Sequence, residues 1–191
     1  MSKRIQSGRS AGFTLIELMV TLSVSVILLG IAYPSFTDTI RNNRIITRNN
    51  DLIAALNIAR SEAAKRGVVT TVCSTNSAQT ACDDSGDWNR GWMVFTDAVG
   101  VVGNCDSCES EAGDIVLLKW PAVDNGVRVK ISDAADTPAR FVSFKADGSV
   151  SGEVATPATM TVAYAQCSGS HGRKITLQKA GGVRSETVSC Q

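Results

Sequence analysis

Residues 13–33, FTLIELMVTLSVSVILLGIAY, form one almost wholly apolar run that is broken by a single carboxylate, Glu17. As a helix the run spans about 31 Å at 1.5 Å per residue, the thickness of a bilayer core. Lys3, Arg4 and Arg9 precede it with no acid among them, so the positive-inside rule keeps residues 1–12 in the cytoplasm and sends the rest outward. A secretory signal shows a small-residue cleavage site after its apolar core. Here Tyr33-Pro34-Ser35-Phe36 follows instead, and no cut is expected on that side. Glu17 is costly inside such a run and marks a function by default. The plainer alternative is a side chain near the membrane face that reaches water. A free amine made by cutting between Gly12 and Phe13 would lie four residues before Glu17 and supply the missing positive charge.

Gly12-Phe13-Thr14-Leu15-Ile16-Glu17, set between a basic leader and a spanning run, resembles the processing signature of type IV prepilins and type II secretion pseudopilins. The resemblance implies that a prepilin peptidase cuts after Gly12 and N-methylates Phe13. It also implies that Glu17 pairs with the N-terminus of a neighbouring subunit, so that the partners are the peptidase, the inner membrane and other pilins. The implied location is the bacterial inner membrane, single-pass with the head in the periplasm, and after assembly a pilus at the cell surface. Pro34 also fits the pattern.

Beyond Pro34 the pattern turns amphipathic. Ile45, Leu52, Leu56, Ala59 and Ala63 recur at helical spacing and form one apolar stripe. Arg41, Arg44 and Arg48 share another face, read either as a solvated or subunit-contact face or as one that meets lipid phosphates. Gly67 ends the helix. From Val68 onward the chain reads as strands: Val68–Cys73, Trp92–Thr96, Ile115–Trp120, Val127–Ile131, Phe141–Phe144, Met160–Ala165, Lys174–Gln178 and Val183–Ser189. Asp124-Asn125-Gly126 and Asp147-Gly148 are turn signals between them. The stretch Asp97–Asp114 is long and acidic, and reads as a surface excursion. The expected organisation is a leader at 1–12, a transmembrane segment at 13–34, an amphipathic helix at 35–67 and a β-rich head at 68–191.

Asp87-Trp88-Asn89-Arg90-Gly91-Trp92-Met93-Val94-Phe95-Thr96-Asp97 is similar to the Trp-x-x-Gly-Trp-x-Val-Phe-x-Asp segment of the GspH/FimT-type minor pilins. Phe144–Gly152 is similar to that family's later Phe-x-x-x-Gly turn, and the closing Cys167 and Cys190 resemble its C-terminal hairpin. The fold implied is α+β and type IV pilin-like, a long N-terminal helix packed on an antiparallel β-sheet head. The function implied is a minor pilin of a type IV pilus, involved in assembly priming or at the tip, with a type II secretion pseudopilin as the alternative. Trp88, Trp92 and Phe95 themselves read as core.

Cys73, Cys82, Cys105, Cys108, Cys167 and Cys190 are an even set in an exported chain, which favours disulfides in an oxidising compartment. Zinc needs two close ligand pairs, and only Cys105 and Cys108 are close. Asp106, Glu109 and Glu111 around them oppose a low thiol pKa and hence redox chemistry. The expected pairing is Cys73 with Cys82 across a short loop, Cys167 with Cys190 between the last two strands, and Cys105 with Cys108.

No catalytic motif is present, and His171, the single histidine, has no orienting carboxylate nearby in sequence. The chain reads as a structural protein without cofactor or metal, and its acidic stretch lacks the calcium-loop pattern. Net charge is +1, but residues 67–171 carry thirteen acids against six bases, while residues 172–191 carry four bases against one acid. Those four bases, Arg173, Lys174, Lys179 and Arg184, are candidates for weak, sequence-independent contact with duplex DNA. Within them Gly181-Gly182-Val183-Arg184 resembles the Gly-Arg-x-Arg motif of a FimT-like branch linked to DNA uptake, with Gly182 in place of the first arginine. A sheet edge guarded by basic side chains is the plainer reading.

Overall fold

The computed structural model describes residues 12–83, 85–97, 114–123, 126–133, 135–152, 154, 156–165 and 172–189, the side chains of 32–35 excepted. Helix α1 (Leu15–Arg66) opens the described chain. Two compact units divide within it, Met1–Ile40 and Arg41–Gln191.

In the first unit every residue from Gly12 to Ile31 is exposed, including Phe13 at 89% and Leu15 at 77%. The helix is long and apolar enough to cross a membrane. So continuous an apolar surface has no stable place in water, and lipid is the solvent that suits it.

The second unit starts inside the helix because the helix stripe is part of its core. Ile45, Leu52, Leu56, Ala59 and Ala63 are all buried, joined by Ala55 and by Asn49. Asn49 is tolerated there because its Oδ1 accepts a hydrogen bond from Ser185 Oγ at 3.1 Å. Gly67, at φ +69, closes the helix and donates its N–H to Ala63 O at 2.9 Å. Lys65 and Arg66 sit in the last turn, where the helix dipole favours cations, and both pair with Glu62.

Nine strands follow: β1 (Val69–Ser74), β2 (Trp92–Asp97), β3 (Ile115–Trp120), β4 (Val127–Ser132), β5 (Phe141–Phe144), β6 (Val150–Ser151), β7 (Ala158–Tyr164), β8 (Gly172–Leu177) and β9 (Val183–Val188). Eight correspond to the expected runs within two residues. The head is not one sheet, however. It comprises a five-stranded sheet ordered β3-β2-β1-β5-β6 and a four-stranded sheet ordered β4-β7-β8-β9. The division arises because β1 takes both β2 and β5 as antiparallel neighbours, while β4 pairs with β7. One core joins the helix stripe to both sheets through Val72, Trp92, Val94, Phe144, Val129, Met160 and Ile175. A smaller cluster of Cys73, Met93, Phe95 and Phe141 lies apart from it.

Trp88 and Trp92 are core side chains at 1% and 0% exposure. Trp88 sits on a 3-10 turn (Trp88–Arg90) that begins at Asp87, whose carboxylate accepts from Asn89 N. Its indole donates to Ala139 O at 2.7 Å. Cys73 and Cys82 form the expected disulfide. Cys105, Cys108, Cys167, Cys190 and His171 lie outside the described residues, as does Asp124-Asn125 of the first turn signal.

Neither reading of the arginine cluster holds for Arg41 and Arg48. Arg41 lies over the Tyr164 ring, 5.3 Å from its centroid. Arg48 reaches Asp51 at 3.3 Å and donates to Ala122 O at 3.4 Å. These contacts bind the helix to the head. The ring contact contributes about 0.5–1 kcal/mol at so exposed a site.

Several turns are held by carboxylates in their charged form. The N–H of Thr137 holds the Asp133 carboxyl below its ordinary range, with Ala135 N adding to the effect. The Ser149 hydroxyl and N–H do the same for Asp147. Burial pushes Asp83 up, but bonds from Ser85 and the nearby Arg90 outweigh it and leave the net shift downward. A depressed folded pKa contributes stability that is present above the unfolded value, roughly pH 4, and lost as pH falls through the folded one. The melting temperature is therefore expected to stay level from pH 7 to 5 and to drop below about pH 4. Asp133→Asn should flatten part of that acid limb in calorimetric scans, and an unchanged limb would contradict the assignment.

Candidate functional site

The first site is the start of α1. Thr14 and Glu17 stand three apart at the helix entry and form a reciprocal cap. Glu17 N donates to Thr14 Oγ1 at 3.3 Å, while Thr14 N and Thr14 Oγ1 donate to Glu17 Oε2 at 3.0 and 2.9 Å. The Glu17 carboxylate therefore satisfies backbone groups that a helix N-terminus would otherwise leave bare in lipid. Thr14 was the residue that sequence reasoning did not single out, although the Thr-x-x-Glu spacing was its signal. Gly12 and Phe13 lie just before the helix, exposed and outside regular structure. An extended, accessible bond at that point suits a peptidase.

The second site is the outward face of the four-stranded sheet. Registers run Lys130–Thr161–Lys174–Glu186 across the four strands, and Ser132–Thr159–Thr176–Arg184 beside them. Directly paired residues share a face, so Lys174 and Arg184 lie together with Lys130. Arg128, two residues along β4, joins them, because successive side chains alternate. Arg128, Lys130 and Arg184 are exposed, and Lys174 is half-buried.

The hairpin bases are thus not all brought together. Arg173 has the parity of the buried Ile175 and Leu177 and donates to the Thr187 hydroxyl. Lys179 is exposed in the turn between β8 and β9. Arg128 and Lys130 are the members that sequence reasoning missed. Their signal was the strict alternation Val127-Arg128-Val129-Lys130-Ile131, whose buried and exposed residues alternate as written. Gly181, read as part of a partial DNA motif, has a packing role. It is buried at φ +78, and a Cβ on it would meet Gly148 O at 2.1 Å. Among the described residues no three His, Cys, Asp or Glu side chains gather as metal ligands.

A family model described as type II transport protein GspH matches residues 49–181. The chain belongs to the GspH family. A second model, the prokaryotic N-terminal methylation motif, matches residues 7–33 and so spans the Gly12–Phe13 bond and Glu17 of this GspH-family chain. Among solved structures, the type IV minor pilin FimU of Pseudomonas aeruginosa is 20% identical with a TM-score of 0.48, covering 76% of this chain and 99% of its own. The minor pseudopilin EpsH from the type II secretion system of Vibrio cholerae is 13% identical with a TM-score of 0.48, covering 75% and 97%. A comparison with curated proteins gave no match. The N-terminal methylation motif implies processing by a prepilin peptidase, and the apolar helix start is consistent with membrane anchoring.

Proposed function

We propose that this GspH-family chain is a minor pilin of a type IV pilus. A prepilin peptidase cuts it after Gly12 and methylates Phe13. The apolar half of α1 holds it in the inner membrane with the head in the periplasm, and the same half packs among other pilins when the subunit enters the fibre near its tip. Its role is structural. The observation that carries this reading is a carboxylate, Glu17, at the entry of an exposed apolar helix, inside the span matched by the methylation motif. A type II secretion system is the alternative, since the helix entry is the same in both. The resemblance of Gly181–Arg184 to the FimT-like motif favours the pilus. Duplex DNA is a weaker part of the picture, because Arg173 is turned from Lys174 and Arg184, and Glu186 stands opposite Lys174.

Intact mass of the membrane-extracted protein tests the processing. The expected chain has lost residues 1–12 and gained one methyl group on Phe13, and Gly12→Trp should accumulate as precursor. A wild-type mass that retains the leader would end the prepilin reading. Recovery of the tagged chain in sheared pili, against a loss of secreted enzymes on its deletion, separates pilus from secretion system.

A further inference from the structure

The head is electrically two-sided. Residues 67–126, which supply β1, β2 and β3, carry nine acids against two bases, and residues 127–191 carry eight bases against five acids. On the outward face of the four-stranded sheet the segregation is sharper, with Arg128, Lys130, Lys174 and Arg184 against Glu186 alone. Strands about 4.8 Å apart place Lys130 and Lys174 roughly 10 Å from each other, and Arg128 lies about 7 Å along the strand from Lys130. Thr159, Thr161 and Thr176 fill the positions between, so the face is flat, polar and free of large apolar side chains.

We propose that this face docks the acidic half, residues 67–126, of a second copy of the chain, head to tail. Charge complementarity within one molecule is the argument. Opposite potentials on two different surfaces of the same head attract copies in a heterologous contact, the kind that extends along a line instead of closing on itself. A polyanion such as duplex DNA meets the same basic face but is repelled by the acidic half of the same head, and the net charge of +1 gives it no long-range attraction. The contact depends on neither leader cleavage nor the kind of fibre, so its test stands apart from that of the proposed function.

Full-length protein in non-ionic micelles, half of it labelled with ¹⁵N, is treated at low salt with a carbodiimide, which joins a lysine amine directly to a touching carboxylate. The expected products are mixed-isotope peptides that join Lys130 or Lys174 to acids within residues 67–126. Screening shortens to about 3 Å in 1 M salt, and the products should vanish there. Arg128→Glu with Arg184→Glu reverses the face while leaving both lysine reporters in place, and should lower their yield roughly tenfold or more. Circular dichroism and an intact Cys73–Cys82 bond verify that this variant folds. Products within single chains only, links from other lysines only, or an undiminished yield in the double variant would each overturn the proposal. So would the recovery of tight DNA binding that the double variant abolishes, which would assign the face to nucleic acid.

Discussion

Glu17→Val is expected to leave cleavage and membrane insertion intact and to remove the chain from the fibre. The cut precedes residue 17, and valine suits lipid better than a carboxylate by about 3 kcal/mol. Two things are lost together. The reciprocal cap disappears, because Thr14 N and Thr14 Oγ1 no longer have Glu17 Oε2 to donate to, at a cost of about 1 kcal/mol. The negative charge that would receive a neighbour's Phe13 amine is lost as well, and in lipid that pairing has little competition from water. The amount in sheared pili should fall at least about tenfold, which is the equivalent of 1.4 kcal/mol. Glu17→Gln separates the two effects, since an amide oxygen keeps an acceptor for Thr14 but carries no charge. Incorporation of Glu17→Gln at the wild-type level would show that the cap alone matters and would defeat the charge-pairing mechanism.

The largest effect on folding is expected from Gly181→Ala. An L-residue at φ +78 costs about 1–2 kcal/mol. The new methyl would also stand 2.1 Å from Gly148 O and 2.9 Å from Arg60 Nε, and moving a packed turn aside adds about 1–3 kcal/mol. The turn has little room to move. Gly181 N donates to Gln178 O, Gln178 N donates to Gly182 O, and Val150 N donates to Lys179 O, which ties β6 of one sheet to the β8–β9 turn of the other. A total of about 3 kcal/mol corresponds to a fall in melting temperature of roughly 10 °C for a chain of this size. Gly182→Ala, next door, is the control. Its Cβ would meet only Gln178 Oε1 at 3.9 Å, and the melting temperature should hold. A similar small change in both variants would show that the turn yields, and that Gly181 is no packing residue.

What could be read from the sequence alone is what depends on a residue's near neighbours along the chain. The spanning run and its one carboxylate need only composition and length. The stripe from Ile45 to Ala63 needs only a period of 3.6, and its five members are buried as that period requires. The strand segments were legible from their β-branched and aromatic content, and the Gly67 and Gly148 ends from glycine's access to positive φ. The two-residue β6 and the Trp88–Arg90 turn were too short to leave a period. The tertiary structure alone decided which strands became neighbours, because pairing between β1 and β5 or β4 and β7 joins segments far apart in sequence. It also decided which way each charge points. In β4 alternation reveals this, but β9 is Val-Arg-Ser-Glu-Thr-Val with four consecutive exposed residues, so nothing local distinguishes its two faces. Only its register with β8 sets Arg184 beside Lys174, and only the burial of Ile175 and Leu177 turns Arg173 the other way. A charged face on a sheet is a sum over strands that the chain visits at widely separated times, and it exists only once their register is fixed.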